Sequence, residues 1–209
     1  MQTPVISYSV ETYAGPIPKT TIGELPSPWR QDVVETMVPL LSNLNSDSTF
    51  LDIGSLETSM SYLASSFSNG ATIYSHNSWP VTGEPEGFPS DDLPATYWNF
   101  WKSVKALGIQ RKITPMRGMV QYTLGCHDLA SVDLAFISMN LLGMDYIKLD
   151  VKILMTRMKP GGTIILVENF TNNPVFDEIL QTIPNSMQIT TPATTTQPSR
   201  IIRFMSIKC

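Results

Sequence analysis

Apolar residues along this chain alternate between short continuous runs and stripes at helical spacing. The runs at 49–53, 71–75, 132–137 and 163–167 read as buried strands. Ile113–Met116 reads as a weaker strand, which Pro115 assigns to a sheet edge. Trp29, Val33, Val34, Met37, Leu40, Leu41 and Leu44 recur at helical spacing, with Ser27 as N-cap, Pro28 in the first turn and Pro39 as a kink. Further helices are predicted over 57–67, closed by Ser68-Asn69-Gly70, over 95–107, closed by Gly108, over 146–158 and near 174–182. Lys159-Pro160-Gly161-Gly162 reads as a tight turn before the 163–167 strand. Two last strands, near 186–190 and 200–207, are separated only by a Thr/Pro-rich stretch.

This alternation predicts an α/β fold: a Rossmann-like, doubly wound, mostly parallel sheet with right-handed crossovers. A parallel return needs a long crossover, so the short final connection favours an antiparallel pair at one edge, with the C-terminal strand antiparallel. The Pro- and Gly-rich residues 1–28 read as an irregular arm, and 29–209 as a single domain. Residues 79–96, dense in Pro and Gly, read as a long loop, and long loops in compact domains are often functional.

Composition narrows the function. The chain has 209 residues, 42% of them apolar, and a net charge of −4. It can bury a substantial core. It lacks the clustered Lys and Arg that tight nucleic-acid binding requires, so nucleic acid is a disfavoured partner. With two cysteines, Cys126 and Cys209, there is no disulfide framework and no zinc-ligand spacing, which points to a reducing compartment. No apolar run approaches the roughly 20 residues of a membrane span, and the N-terminus does not read as a signal peptide. A cytoplasmic location without a membrane partner is the expectation, and homo-oligomerisation is left open.

The chemistry concentrates in Phe50-Leu51-Asp52-Ile53-Gly54-Ser55, which leads into the 57–67 helix. A strand that ends at glycine and feeds a helix is a nucleotide-cofactor arrangement. The glycine admits close backbone approach, and the helix start offers free N–H groups. The acidic-x-Gly pattern resembles motif I of class I S-adenosylmethionine-dependent methyltransferases. Three more segments follow in the family's order. Ile73–Trp79 is similar to the second-strand segment of small-molecule O-methyltransferases, Ser131–Ser138 to the fourth strand, and Met158–Asn169 to the Pro-Gly-Gly turn and fifth strand. Together they span about residues 49–170.

The resemblance implies a methyltransferase with S-adenosylmethionine as cofactor and a small-molecule acceptor reacting through oxygen or nitrogen. Asp52, Gly54 and Ser55 would hold the methionine part, Asn77 and Trp79 the ribose and adenine, and Gly118 and Met119 the flank of the adenine. Glu168 and Ser138 would face the acceptor as the catalytic candidates. Several positions depart from the family. Leu56, Glu57 and Thr58 stand where a second glycine is usual, and Asn77 where a carboxylate accepts the ribose hydroxyls. Ser138 replaces the Asp that metal-dependent members place at the end of strand four, so no metal is expected. His76 reads either as a cofactor contact or as a surface residue. The aromatic run 97–101 reads as core packing on one face, with Trp98 open to a pocket role. The alternatives are a non-catalytic descendant acting as a scaffold and, more distantly, a dinucleotide oxidoreductase, which would want Gly-x-Gly-x-x-Gly.

Overall fold

The computed structural model describes residues 31–55, 59–77, 97–118, 120–126, 129, 131–138, 151–168, 187–190 and 201–207. The N-terminal arm, the 79–96 loop, the 174–182 helix, Trp79, Met119 and the side chains of Trp98 and Glu168 lie outside this description.

Its elements in chain order are α1 (Gln31–Ser42), β1 (Thr49–Ile53), α2 (Ser59–Phe67), β2 (Thr72–Asn77), α3 (Tyr97–Ala106) and β3 (Ile113–Arg117). There follow α4 (Val120–Cys126), β4 (Val132–Ser138), a helical segment over 151–155, β5 (Met158–Glu168), β6 (Met187–Thr190) and β7 (Ile201–Ile207). The seven strands form one sheet in the order β3-β2-β1-β4-β5-β7-β6. Strands β1 to β5 pair in parallel, and β7 runs antiparallel to both β5 and β6.

Side chains alternate along each strand, so each inner strand feeds two cores. On one face Phe50, Ile73, Leu134, Phe136 and Ile165 pack with Met37 and Leu41 of α1, Met60 and Leu63 of α2, and Phe100 and Val104 of α3. On the other, Leu51, Ile53, Ala135, Ile137, Ile164 and Leu166 pack with Val120 and Leu124 of α4 and with Val151 and Leu154. Every residue of β1 is buried, as expected for a central strand covered on both faces. In the aromatic run, Phe100 is fully buried, and Tyr97 and Trp101 pack half-buried against the first core.

Three readings need correction. Lys159–Gly162 is not a free turn: β5 already starts at Met158, and two steps along β4 are matched by five along β5 between the Val132–Met158 and Leu134–Thr163 pairs. The Pro and glycines therefore form an irregularity within the strand. Gly162 is required there, because a Cβ would approach the Lys159 carbonyl oxygen to 2.9 Å. The helix expected to reach Met158 ends earlier, since turn residues at 156 and 157 precede the strand. Helix α4 was not read at all. Gly118 before it and Gly125 in its last turn give that stretch a loop signature, although Val120 and Leu124 carry the helical spacing that reveals it.

Candidate functional site

The chain runs from β1 outward to β2 and β3, then returns to the opposite side of β1 to form β4. The carboxyl ends of β1, β2 and β4 therefore flank the point where strand order reverses, where open α/β sheets bind ligands. Asp52, Asn77 and Ser138 sit in the last two positions of these strands, and Gly54 and Ser55 directly follow β1.

Gly54 has φ +77°, and its N–H donates to the His76 carbonyl at 3.0 Å. A side chain at that φ is strained, so glycine is needed for this turn. Gly118, at φ +128°, repeats the pattern one strand over: its N–H donates to the Asn77 carbonyl at 3.1 Å. The two glycine turns thus hang on the end of β2. Asn77 pairs in register with Arg117 of β3, whose guanidinium lies 5.4 Å from the centre of the Tyr97 ring.

Asp52 is fully buried and faces α2. Its Oδ1 accepts a short hydrogen bond from the Ser55 hydroxyl, and its Oδ2 accepts one from Ser61 Oγ at 3.2 Å. Removal from water pushes the carboxyl up from 3.8 to about 7, while the Ser55 and Ser61 hydroxyls and the Ser55 backbone N–H pull it down. Ser75, in register with Asp52 on β2, is also buried, and its Oγ has no hydrogen-bond partner. Ser55, Asn77 and Ser138 are buried as well, at 1%, 2% and 1% exposure. Sequence reading missed Ser61 and Ser75. The available signal was a hydroxyl at a position whose neighbours in the pattern, Met60 and Ile73, are core residues.

The surface reading of His76 does not hold. The residue is buried, and its Nε2 lies 2.6 Å from Thr123 Oγ1 of α4. That places its ring on the face opposite Asp52. Glu168 closes β5 two strands from β1, with Asn169 outside the described residues. Among the described residues, no three His, Cys, Asp or Glu side chains cluster as metal ligands would. Two surface cavities lie toward the other end of the sheet: one lined by Asp133, Gly161 and Thr163, the other by Ser65, Arg111 and Lys112. Among the described residues, no helix is long and apolar enough to cross a membrane.

No protein-family model matches the sequence, and no curated protein does. Solved structures do. The O-methyltransferase from Bacillus cereus, solved with S-adenosylhomocysteine, superposes with a TM-score of 0.63 at 12% identity, covering 90% of this chain and 86% of that one. The O-methyltransferase TomG from Streptomyces achromogenes, involved in tomaymycin synthesis and solved with S-adenosylmethionine, gives 0.63 at 11% identity over 86% and 81%. Precorrin-6y C5,15-methyltransferase from Geobacter metallireducens gives 0.61 at 18% identity over 86% and 90%. The chain has the fold of the class I S-adenosylmethionine-dependent methyltransferases.

Proposed function

We propose that this protein is a cytoplasmic, metal-independent S-adenosylmethionine-dependent methyltransferase acting on an oxygen or nitrogen of a small molecule. The observation that carries the reading is the placement of Asp52, the positive-φ Gly54 turn, Ser55, Asn77 and the positive-φ Gly118 turn around one topological switch point. Left-handed glycines let backbone N–H groups approach a ligand that a Cβ would hold off.

The bound cofactor supplies an electrophilic methyl group on a positively charged sulfur. The chain's own work is then positioning. Asp52 and Ser55 fix the turn that receives the methionine part. Asn77 offers an amide oxygen toward ribose hydroxyls, a weaker acceptor than a carboxylate. Ser138 and Glu168, ending β4 and β5, orient the acceptor. Such transfer depends chiefly on alignment and proximity, so a site without a strong general base suffices.

Metal independence rests on Ser138, which offers a neutral hydroxyl where a hard divalent cation needs a carboxylate. Methyl transfer should therefore persist in excess EDTA, and Ser138→Asp should add Mg²⁺ affinity that the wild type lacks. Activity lost on chelation and restored by Mg²⁺ would reject this part.

A second reading, a scaffold that keeps the fold without catalysis, draws on the buried, uncharged Asn77 and on Ser138. Calorimetric titration with S-adenosylhomocysteine separates the two readings. Saturable heat is the expected result, whereas no heat and no melting shift at saturating ligand would favour the scaffold.

A further inference from the structure

Among the described residues, Asp52 is the only Asp, Glu, Lys or Arg in the buried set. The described groups packed around it are neutral: Ser55 on the turn, Ser61 on α2, Ser75 on β2 and Phe136 on β4. His76, its titratable neighbour on β2, turns to Thr123 on the other face. Arg117 on β3 is directed to the Tyr97 ring. In sequence, the stretches leaving β1 and β2, residues 56–58 and 78–96, carry Glu57, Glu84, Glu86, Asp91 and Asp92 and no Lys, Arg or His, and the stretch leaving β4, residues 139–150, carries Asp145, Lys148 and Asp150. A carboxylate removed from water without a cation is unfavourable, and the group meets this by holding its proton. Ser75, in register with Asp52 on β2, adds a buried hydroxyl whose Oγ has no hydrogen-bond partner.

We infer that binding of an S-adenosyl ligand at the Gly54 turn is coupled to release of one proton from Asp52, whose carboxylate then meets the ligand's ammonium group. This rests on the methyltransferase reading, because it takes the amino-acid end of the ligand to lie at the Gly54 turn. The step balances without a co-reactant. The Asp52 O–H bond breaks, its electron pair stays on the carboxylate, and the proton passes to solvent. Ligand charge thus takes the place of a cation that the described residues do not supply, and affinity rises as the acid becomes easier to ionise.

The test is calorimetry of S-adenosylhomocysteine into the full chain at about pH 6 and about pH 8, in buffers of small and large ionisation enthalpy. Wild type should release close to one proton at the lower pH and little at the higher, with a Kd about tenfold tighter at the higher. Asp52→Asn should bind with no proton release and no such shift in Kd. Ser61→Ala, which removes a hydroxyl that favours the ionised form, should move the pH midpoint upward; this variant serves where Asp52→Asn fails to fold. Wild-type binding with a pH-independent Kd and no proton release would overturn this inference alone. So would proton release that survives Asp52→Asn or a midpoint that ignores Ser61→Ala. No binding at either pH would overturn the methyltransferase reading and this inference with it.

Discussion

Two aspartates on neighbouring strands of one sheet live under opposite rules. Asp133, second in β4, lies at the amino end of the sheet and is partly exposed. Its Oδ2 accepts from Lys159 Nζ at 2.7 Å and from the Thr49 N–H at 2.7 Å, and Lys159 also reaches the Asp47 carbonyl at 3.1 Å. Asp52, near the end of β1, has hydroxyl and N–H partners and, among the described residues, no cation. The first carboxylate is a structural tie with its charge met by the protein. The second is a buried acid beside a glycine turn, at the end of the sheet where open α/β folds bind ligands. Among the described residues, the fold supplies Lys159 to one aspartate and Ser55 and Ser61 to the other, so the two ends of the sheet treat a carboxylate differently.

The largest expected effect comes from breaking the turn next to Asp52. Gly54→Val places a β-branched residue at φ +77°, a conformation that costs about 1–3 kcal/mol. In the proposed site its Cβ would also fill the space that the ligand needs. S-adenosylhomocysteine binding should vanish in calorimetry while far-UV circular dichroism shows a folded chain. Retained binding would remove Gly54 from the site.

Next comes the charge itself. The folded carboxyl of Asp52 titrates near 7 against an ordinary 3.8, so between these values the folded state holds the proton more tightly than the unfolded one. The resulting stabilisation is complete below the lower value and is lost as pH rises through the upper. An asparagine cannot ionise. Asp52→Asn should therefore gain stability relative to wild type as pH rises from about 4 to about 7, by on the order of 4 kcal/mol, and the gain should level off above. Denaturant melts across that range measure it, and parallel curves for the two proteins would refute the buried neutral acid.

On the opposite face, Thr123→Val removes the 2.6 Å contact with His76 inside the core. A stability loss of about 1–3 kcal/mol is expected, with ligand affinity unchanged. If affinity falls instead, His76 belongs to the site. The smallest effect belongs to the exposed pair. Lys159→Met should cost about 0.2–1 kcal/mol, less in high salt, because solvent screens a partly exposed ion pair and Thr49 still serves Asp133. A loss as large as that of Thr123→Val would mean that the two aspartates are less different than their surroundings imply.

Much of this architecture was legible in the residues. The apolar runs located the central strands, Gly54 marked the turn after β1, and Pro115 marked β3 as an edge strand, where it pairs with Ser75. These are local signals, set by side-chain periodicity and by the φ that each residue tolerates. The Pro-Gly-Gly stretch misled for a related reason. The local preference is for a turn, but pairing with β4 held the stretch within β5 as an irregularity. The site was only half legible. Sequence alone named Asp52, Gly54, Ser55, Asn77, Gly118 and Ser138 as candidates, and the acidic-x-Gly pattern tied the first of them to a cofactor turn. It could not say that His76 turns away to Thr123, that Ser61 and Ser75 belong beside Asp52, or that one aspartate gains a lysine and the other does not. Those outcomes depend on which strands and helices come to lie together. Whether a carboxyl keeps its charge is decided by the water it loses and the partners it gains on folding, and these exist only in the tertiary structure.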